Sequence, residues 1–128
     1  MSNRLLIVDD ALIMRMKIRE IAERSGWTVV AEAGDGEAAV EAYAEHRPDL
    51  VTLDMVMPKM DGLAALEAIR GGDPKANVVM VSAVNQKEKL RACIAAGAAD
   101  FIVKPFDPQR LAGFFERYRT PAEGEVSA

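Results

Sequence analysis

Leu50-Val51-Thr52-Leu53-Asp54 is a nearly unbroken apolar run of strand length that ends on a carboxylate. It is too short for an ordinary helix, and its lack of polar alternation suits a strand covered on both faces. The same design recurs along the chain. Leu5 to Val8 runs into Asp9 and Asp10, Val78 to Val81 into Ser82, and Phe101 to Val103 into Lys104, with Thr28 to Ala31 as a further run. Between these runs the period changes from strand to helix. Met14, Ile18, Ile21 and Ala22 share one helical face, while Arg15, Lys17, Arg19 and Glu20 fall largely elsewhere on the same helix. Gly34-Asp35-Gly36 reads as a turn before a second helix through Ala38, Ala39, Val40 and Tyr43, and Pro48 closes the link to the third strand. Gly71-Gly72-Asp73-Pro74 ends a third helix, a fourth runs from about Gln86 to Ala96 with Gly97 as its stop, and a fifth follows Pro108. Short strands alternating with helices predict an α/β domain whose parallel sheet is covered on both faces.

With 128 residues, half of them apolar, the chain supports one packed core and not two. A formal charge of -4 argues against a nucleic-acid partner, because binding to a phosphate backbone rests on a cationic surface. Cys93 is the only cysteine, which excludes an internal disulfide and a thiolate metal cluster and suits a reducing cytoplasm. Met1-Ser2-Asn3-Arg4 precedes too few apolar residues for a signal-peptide core, and no run approaches membrane-spanning length, so a soluble protein is expected. Residues 1–119 are expected to form the domain and 120–128 a polar tail, with no internal repeat and no room for an output domain.

In an open parallel sheet the ligand crevice lies beyond the carboxyl ends of the strands. With the strand order 2-1-3-4-5, the residues that end the first, third, fourth and fifth runs meet there: Asp9, Asp10, Asp54, Ser82 and Lys104. Singly, each has an ordinary explanation. The aspartate pair serves as a helix N-cap, Asp54 as a turn residue, Ser82 as a strand-end hydroxyl and Lys104 as a surface lysine. Together they do not. Three crowded carboxylates repel one another unless a cation neutralises them, and a hard divalent ion that keeps waters and reaches a phosphate describes Mg²⁺. An aspartate beside that ion can attack phosphorus, while Lys104 and the Ser82 hydroxyl are suited to the remaining phosphoryl oxygens.

The Asp9-Asp10 pair, DMVMPKMDG from Asp54 to Gly62, VSA from Val81 to Ala83 and KPF from Lys104 to Phe106 occur in order across Arg4 to Tyr118. In these motifs the chain resembles the receiver domains of bacterial two-component response regulators. SAVNQ from Ser82 to Gln86 and the FIVKPF ending strengthen the likeness to stand-alone, CheY-like members of chemotaxis type. The resemblance implies a flavodoxin-like, doubly wound parallel five-stranded sheet of order 2-1-3-4-5. It implies Asp54 as phosphoacceptor, and Mg²⁺ held by Asp9, Asp10, Asp54 and the backbone carbonyl of Val56. It also implies Ser82 and Phe101 as switch residues, Lys104 as the phosphate lysine, and a Lys104-Pro105 bond open to the cis form. The implied partners are a sensor histidine kinase and a downstream target protein. The target would be read by the fourth helix, fifth strand and fifth helix, including Lys87, Leu90, Arg91, Phe106 and Gln109. Such a switch is expected to act as a cytoplasmic monomer that catalyses only its own phosphorylation and dephosphorylation. Two departures stand out: Phe101 lacks the hydroxyl of a tyrosine, and Val56 and Val84 are apolar where relatives often carry polar side chains.

Three other readings compete. An aspartate-nucleophile phosphatase of the haloacid dehalogenase type wants a second aspartate where this chain has Val56. A phosphorelay shuttle or phosphate sink keeps the receiver and changes its job, and an input half cut from a larger regulator would end near Pro121. Among the remaining residues, His46 reads as a solvated helix end and Cys93 as packing. Met55, Met57, Met60 and Met80 read as gap fillers. Trp27, at the start of the second strand, is expected at the opposite end of the sheet from Asp54.

Overall fold

The computed structural model describes residues 3–84 and 86–120. Asn85, within the SAVNQ motif, and residues 121–128 of the expected tail lie outside the described residues. Five parallel strands, β1 (Arg4–Val8), β2 (Thr28–Ala33), β3 (Leu50–Leu53), β4 (Val78–Ser82) and β5 (Asp100–Val103), pair in the order β2-β1-β3-β4-β5. The helices are α1 (Leu12–Arg24), α2 (Gly36–His46), α3 (Gly62–Gly72), α4 (Lys87–Ala95) and α5 (Pro108–Tyr118). This is the flavodoxin-like arrangement expected from the sequence.

The apolar runs are continuous because both faces of the sheet are covered, and the two-residue strand period divides each run between two cores. Leu6, Val8, Val51, Leu53, Val78 and Met80 face one core, joined by Tyr43, Leu66, Ile69 and Cys93 from α2, α3 and α4. Leu5, Ile7, Leu50, Val79, Val81 and Ile102 face the other, against Ile18 and Ala22 of α1 and Leu111, Phe114 and Phe115 of α5. Met14 and Ile21 pack at the rim of the second core, so the helical face read from the sequence is the buried one. Trp27 is buried just before β2, and its indole N–H donates to the Phe115 carbonyl at 2.8 Å. Parallel pairing puts that contact at the amino ends of the strands, away from Asp54.

Side-chain caps start three helices: Asp35, Asp61 and Asp107 accept from the amides of Ala38, Ala64 and Gln109. The cap position of α1 is Ala11 and carries no side-chain cap bond. Gly97, at φ +103°, ends α4 in the left-handed region where glycine is unstrained. At the far end of the chain, the Asn3 amide donates to the Thr120 carbonyl and accepts from the Thr120 N–H.

Gly62 is required for a different reason. A Cβ there would lie 2.1 Å from the Asp54 carbonyl oxygen, so α3 can start against the end of β3 only without a side chain. Gly62→Ala is expected to cost about 3 kcal/mol, the upper end for overpacking against backbone that cannot yield, measured by urea denaturation.

At the other end of α2 and α3, the Tyr43 hydroxyl donates to Asp73 at 2.7 Å, and Arg47 pairs with the same carboxylate at 3.4 Å. Burial and the Asp73 carboxylate together push the Tyr43 phenol up to about 12. A phenol whose folded value exceeds its unfolded value stabilises the fold fully below the unfolded value, and that contribution is lost as pH rises through the folded one. Stability should therefore decline between about pH 10 and 12. Tyr43→Phe should remove that part of the decline, as read by thermal melts across the range.

Candidate functional site

The sheet ladder continues past the strand ends and fixes the backbone of the site. The Asp9 amide donates to Ala33 at 3.0 Å, the Asp54 amide to Val8 at 3.1 Å, and the Lys104 amide to Ser82 at 2.8 Å. Because β1, β3, β4 and β5 are consecutive neighbours, these residues meet at one edge of the sheet. Asp9, Asp54 and Ser82 are buried, Lys104 is half-buried and Asp10 is exposed. The expected residues Asp9, Asp10, Asp54, Ser82 and Lys104 are thus gathered by four strand ends.

Carboxylate oxygens of Asp9, Asp10 and Asp54 lie within 4.8 Å of one another. The Lys104 ammonium sits between two of them, 2.5 Å from Asp9 Oδ2 and 3.2 Å from Asp54 Oδ2. Asp9 Oδ1 accepts from the Ala11 amide at 2.9 Å, a turn ahead of α1 and not a helix cap, while Oδ2 faces Lys104 in the site. Asp54 Oδ1 accepts from the Val56 amide, and Ser82 Oγ from the Val84 amide, both at 3.4 Å. These long contacts leave Asp54 Oδ1 and Ser82 Oγ weakly held, while Asp54 Oδ2 is held by Lys104. Three carboxylates and one ammonium leave a formal charge of -2 in a set made only of hard oxygen donors around one lysine. The donor set and its charge fit a divalent cation that prefers oxygen ligands.

Phe101 is half-buried on the core face shared with Met55 and Cys93. The Cys93 thiol donates to Met55 Sδ at 3.3 Å, and Cys93 is the one buried residue of α4. Its packing reading holds, and burial raises the thiol above its usual range. Met55, Met57 and Met80 are buried and Met60 half-buried in the same core. Lys104-Pro105 is cis.

One expected surface residue is misplaced in the sequence reading. Phe106 does not contribute to an exposed readout face, being buried against the core under α1 and α5 with the Lys17 ammonium 5.2 Å above its ring. Period alone could not separate these outcomes for a single aromatic in a loop. By period, Arg15 falls off the apolar face of α1. It instead turns back so that Nη1 donates to the Asp9 carbonyl at 2.6 Å while Nε bonds Glu32 at 3.0 Å. No sequence signal marks that contact, since it depends on how α1 lies on β2.

Comparison with known proteins agrees with this geometry. The sequence profile of the response regulator receiver domain family matches residues 5–115. The chain is 52% identical over 111 residues to the chemotaxis protein CheY of Bacillus subtilis, covering 87% of this chain and 92% of that protein. It is 47% identical over 111 residues to CheY of Thermotoga maritima, with the same two coverages, 87% and 92%. Among solved structures, CheY of Borrelia burgdorferi in complex with CheX, BeF₃ and Mg²⁺ superposes with a TM-score of 0.84 at 38% identity, covering 86% of this chain and 84% of that one. Sheet order, clustered carboxylates and a family match over most of its length together place this chain in the response regulator receiver domain family.

Proposed function

We propose that this protein is a stand-alone chemotaxis-type switch, with residues 1–119 as the receiver and 120–128 as a tail. It takes a phosphoryl group onto Asp54 from the phosphohistidine of a sensor histidine kinase and then alters a surface read by a target protein. The observation that carries this reading is the meeting of Asp9, Asp10 and Asp54 with Lys104 and Ser82 at the ends of adjacent strands. The identity to CheY proteins supports the chemotaxis assignment. Action as a monomer in the cytoplasm is part of the proposal; no described helix is long and apolar enough to cross a membrane.

Asp9, Asp10, Asp54 and the Val56 carbonyl would hold Mg²⁺, which when bound supplies positive charge to the phosphoryl oxygens. A weakly held Asp54 oxygen attacks phosphorus, the P–N bond of the phosphohistidine breaks, and the imidazole nitrogen keeps the electron pair. Lys104 then leaves Asp54 Oδ2 for a phosphoryl oxygen, keeping its ion pair with Asp9. The Ser82 hydroxyl, which among the described residues is bonded only by the Val84 amide at 3.4 Å, turns and donates to another. Drawing Ser82 toward the site opens room behind it, into which Phe101 turns. A change from mostly off to mostly on needs roughly 5 kcal/mol of differential stabilisation. The responding face is α4, β5 and α5, on which Lys87, Arg91 and Gln109 are exposed and Leu90 is half-buried.

Exposed apolar side chains follow two of the site's aspartates in the chain, on α1 after Asp10 and at Val56 after Asp54. Leu12, Ile13 and Met16 of α1 are 58%, 81% and 59% exposed, and Val56 is 64% exposed. Such a patch beside a reactive group suits a docking protein, and the donor domain of the kinase is the partner that must reach Asp54.

Acetyl phosphate with Mg²⁺ should add one phosphoryl mass to the protein, with acetate as the leaving group. Asp54→Asn should abolish the addition and Asp10→Ala should slow it at least ten-fold, as followed by intact mass; labelling that persists in Asp54→Asn would sink the assignment of the acceptor.

The valines near the site bear on lifetime. Hydrolysis needs a water aligned with phosphorus, and neither Val56 nor Val84 can hydrogen-bond one through its side chain. The double variant Val56→Asn, Val84→Glu should lose its phosphoryl group several-fold faster, as one hydrogen bond is worth about 1 kcal/mol and 1.4 kcal/mol is ten-fold in rate. Decay of labelled protein after donor removal measures it, and equal decay would refute the role of the valines.

A further inference from the structure

We infer that Arg15, clamped by Glu32, is a positioning residue for the carboxylate cluster, holding the Asp9-Asp10 peptide so that Asp10 faces the site. The inference rests on the metal reading proposed above.

Every polar group of Asp9 is engaged. Its amide donates to Ala33, its carboxylate oxygens accept from Ala11 and Lys104, and its carbonyl accepts from Arg15 Nη1 at 2.6 Å. Asp10 contrasts with it, being exposed and bonded through its side chain to no described residue. With no described side-chain partner to place it, Asp10 is positioned through its backbone, and the peptide that joins it to Asp9 sets where its Cα stands at the site. The plane of that peptide is set by the hydrogen bond on the Asp9 carbonyl, and the donor of that bond is Arg15.

The guanidinium can serve because it is itself immobilised. Arg15 Nε bonds Glu32 Oε1 at 3.0 Å, and Arg19 brings Nε and Nη2 to Glu32 Oε2 at 2.9 and 2.7 Å. Arg15 and Glu32 are largely shielded, with 18% and 25% of their side chains exposed. Burial alone would raise the Glu32 carboxyl, but the bonds from Arg19 and Arg15 outweigh it and hold the group below its ordinary range, so it stays ionised at neutral pH. The planar fork of arginine reaches two acceptors at fixed angles. A lysine, with one point of attachment, cannot hold both the Asp9 carbonyl and Glu32.

Charge and positioning make opposite predictions, which gives a clean test. If Arg15 acted only as a nearby cation, Arg15→Lys would bind Mg²⁺ like wild type and Arg15→Met would bind it more tightly. If it positions Asp10, both variants bind more weakly, by roughly ten-fold in Kd, the scale found when outer partners of metal ligands are removed. Glu32→Gln should shift Kd in the same direction by less. The measurement is Mg²⁺ titration of the unphosphorylated full chain by calorimetry, with amide NMR shifts at Asp9, Asp10 and Asp54 to confirm the folded state and the site. Unchanged or tighter binding in either Arg15 variant overturns the inference, and an unshifted Glu32→Gln overturns the clamp. Asp10→Ala is the control: loss of Mg²⁺ binding there with wild-type binding in Arg15→Lys refutes the positioning role alone, whereas wild-type binding in Asp10→Ala refutes the metal reading itself.

Discussion

Mutual repulsion among carboxylates at the ends of neighbouring parallel strands is the constraint around which this molecule is built. Asp9 and Asp54 are both buried, with carboxylate oxygens no more than 4.8 Å apart. At an effective dielectric near 20, two charges at that separation repel by about 3 kcal/mol. Lys104 offsets part of this by bridging the pair. The sheet supplies the rest of the support, because the backbone of each of these residues is tied to a neighbouring strand by its own amide. A loop-borne cluster could relax by moving apart; this one cannot. The charge left over suits the site to a divalent cation with oxygen ligands.

The same rigidity gives the chemistry a route to the surface. Lys104 directly follows β5, an edge strand of the sheet that carries Phe101 and Val103, so the residue paired with Asp54 is joined to the strand at the sheet's edge. On the neighbouring helix, α4 has a single buried residue, Cys93, whose thiol meets Met55 beside Asp54. α4 is fastened by little buried surface, whereas α3 is locked to the end of β3 by the close approach at Gly62. The lightly and the deeply buried helices thus lie on the same face of the sheet.

Much of this was legible in the chain. The five apolar runs fall within the five strands, with boundaries differing by at most two residues, because strands covered on both faces leave a strong signal in short windows. The motif residues were legible for a related reason: a residue that ends a parallel strand has its position dictated by the sheet, so strand order alone brings Asp9, Asp54, Ser82 and Lys104 together. Phe106 and Arg15 were not legible. One is an aromatic in a loop whose burial depends on where α1 and α5 meet, and the other is a charged residue that looks solvated by periodicity yet folds back on the chain.

What the sequence by itself determined is therefore the alternation of strands and helices and the chemical identity of the group at each strand end, since both depend on local pattern. Tertiary structure alone decided that Lys104 bridges Asp9 and Asp54, that Arg15 is held between the Asp9 carbonyl and Glu32, and that α3 can start only at a glycine. Each of these depends on distances of a few ångströms between segments far apart in the chain. Such distances are set by how helices pack on a twisted sheet, which no local pattern of side chains encodes.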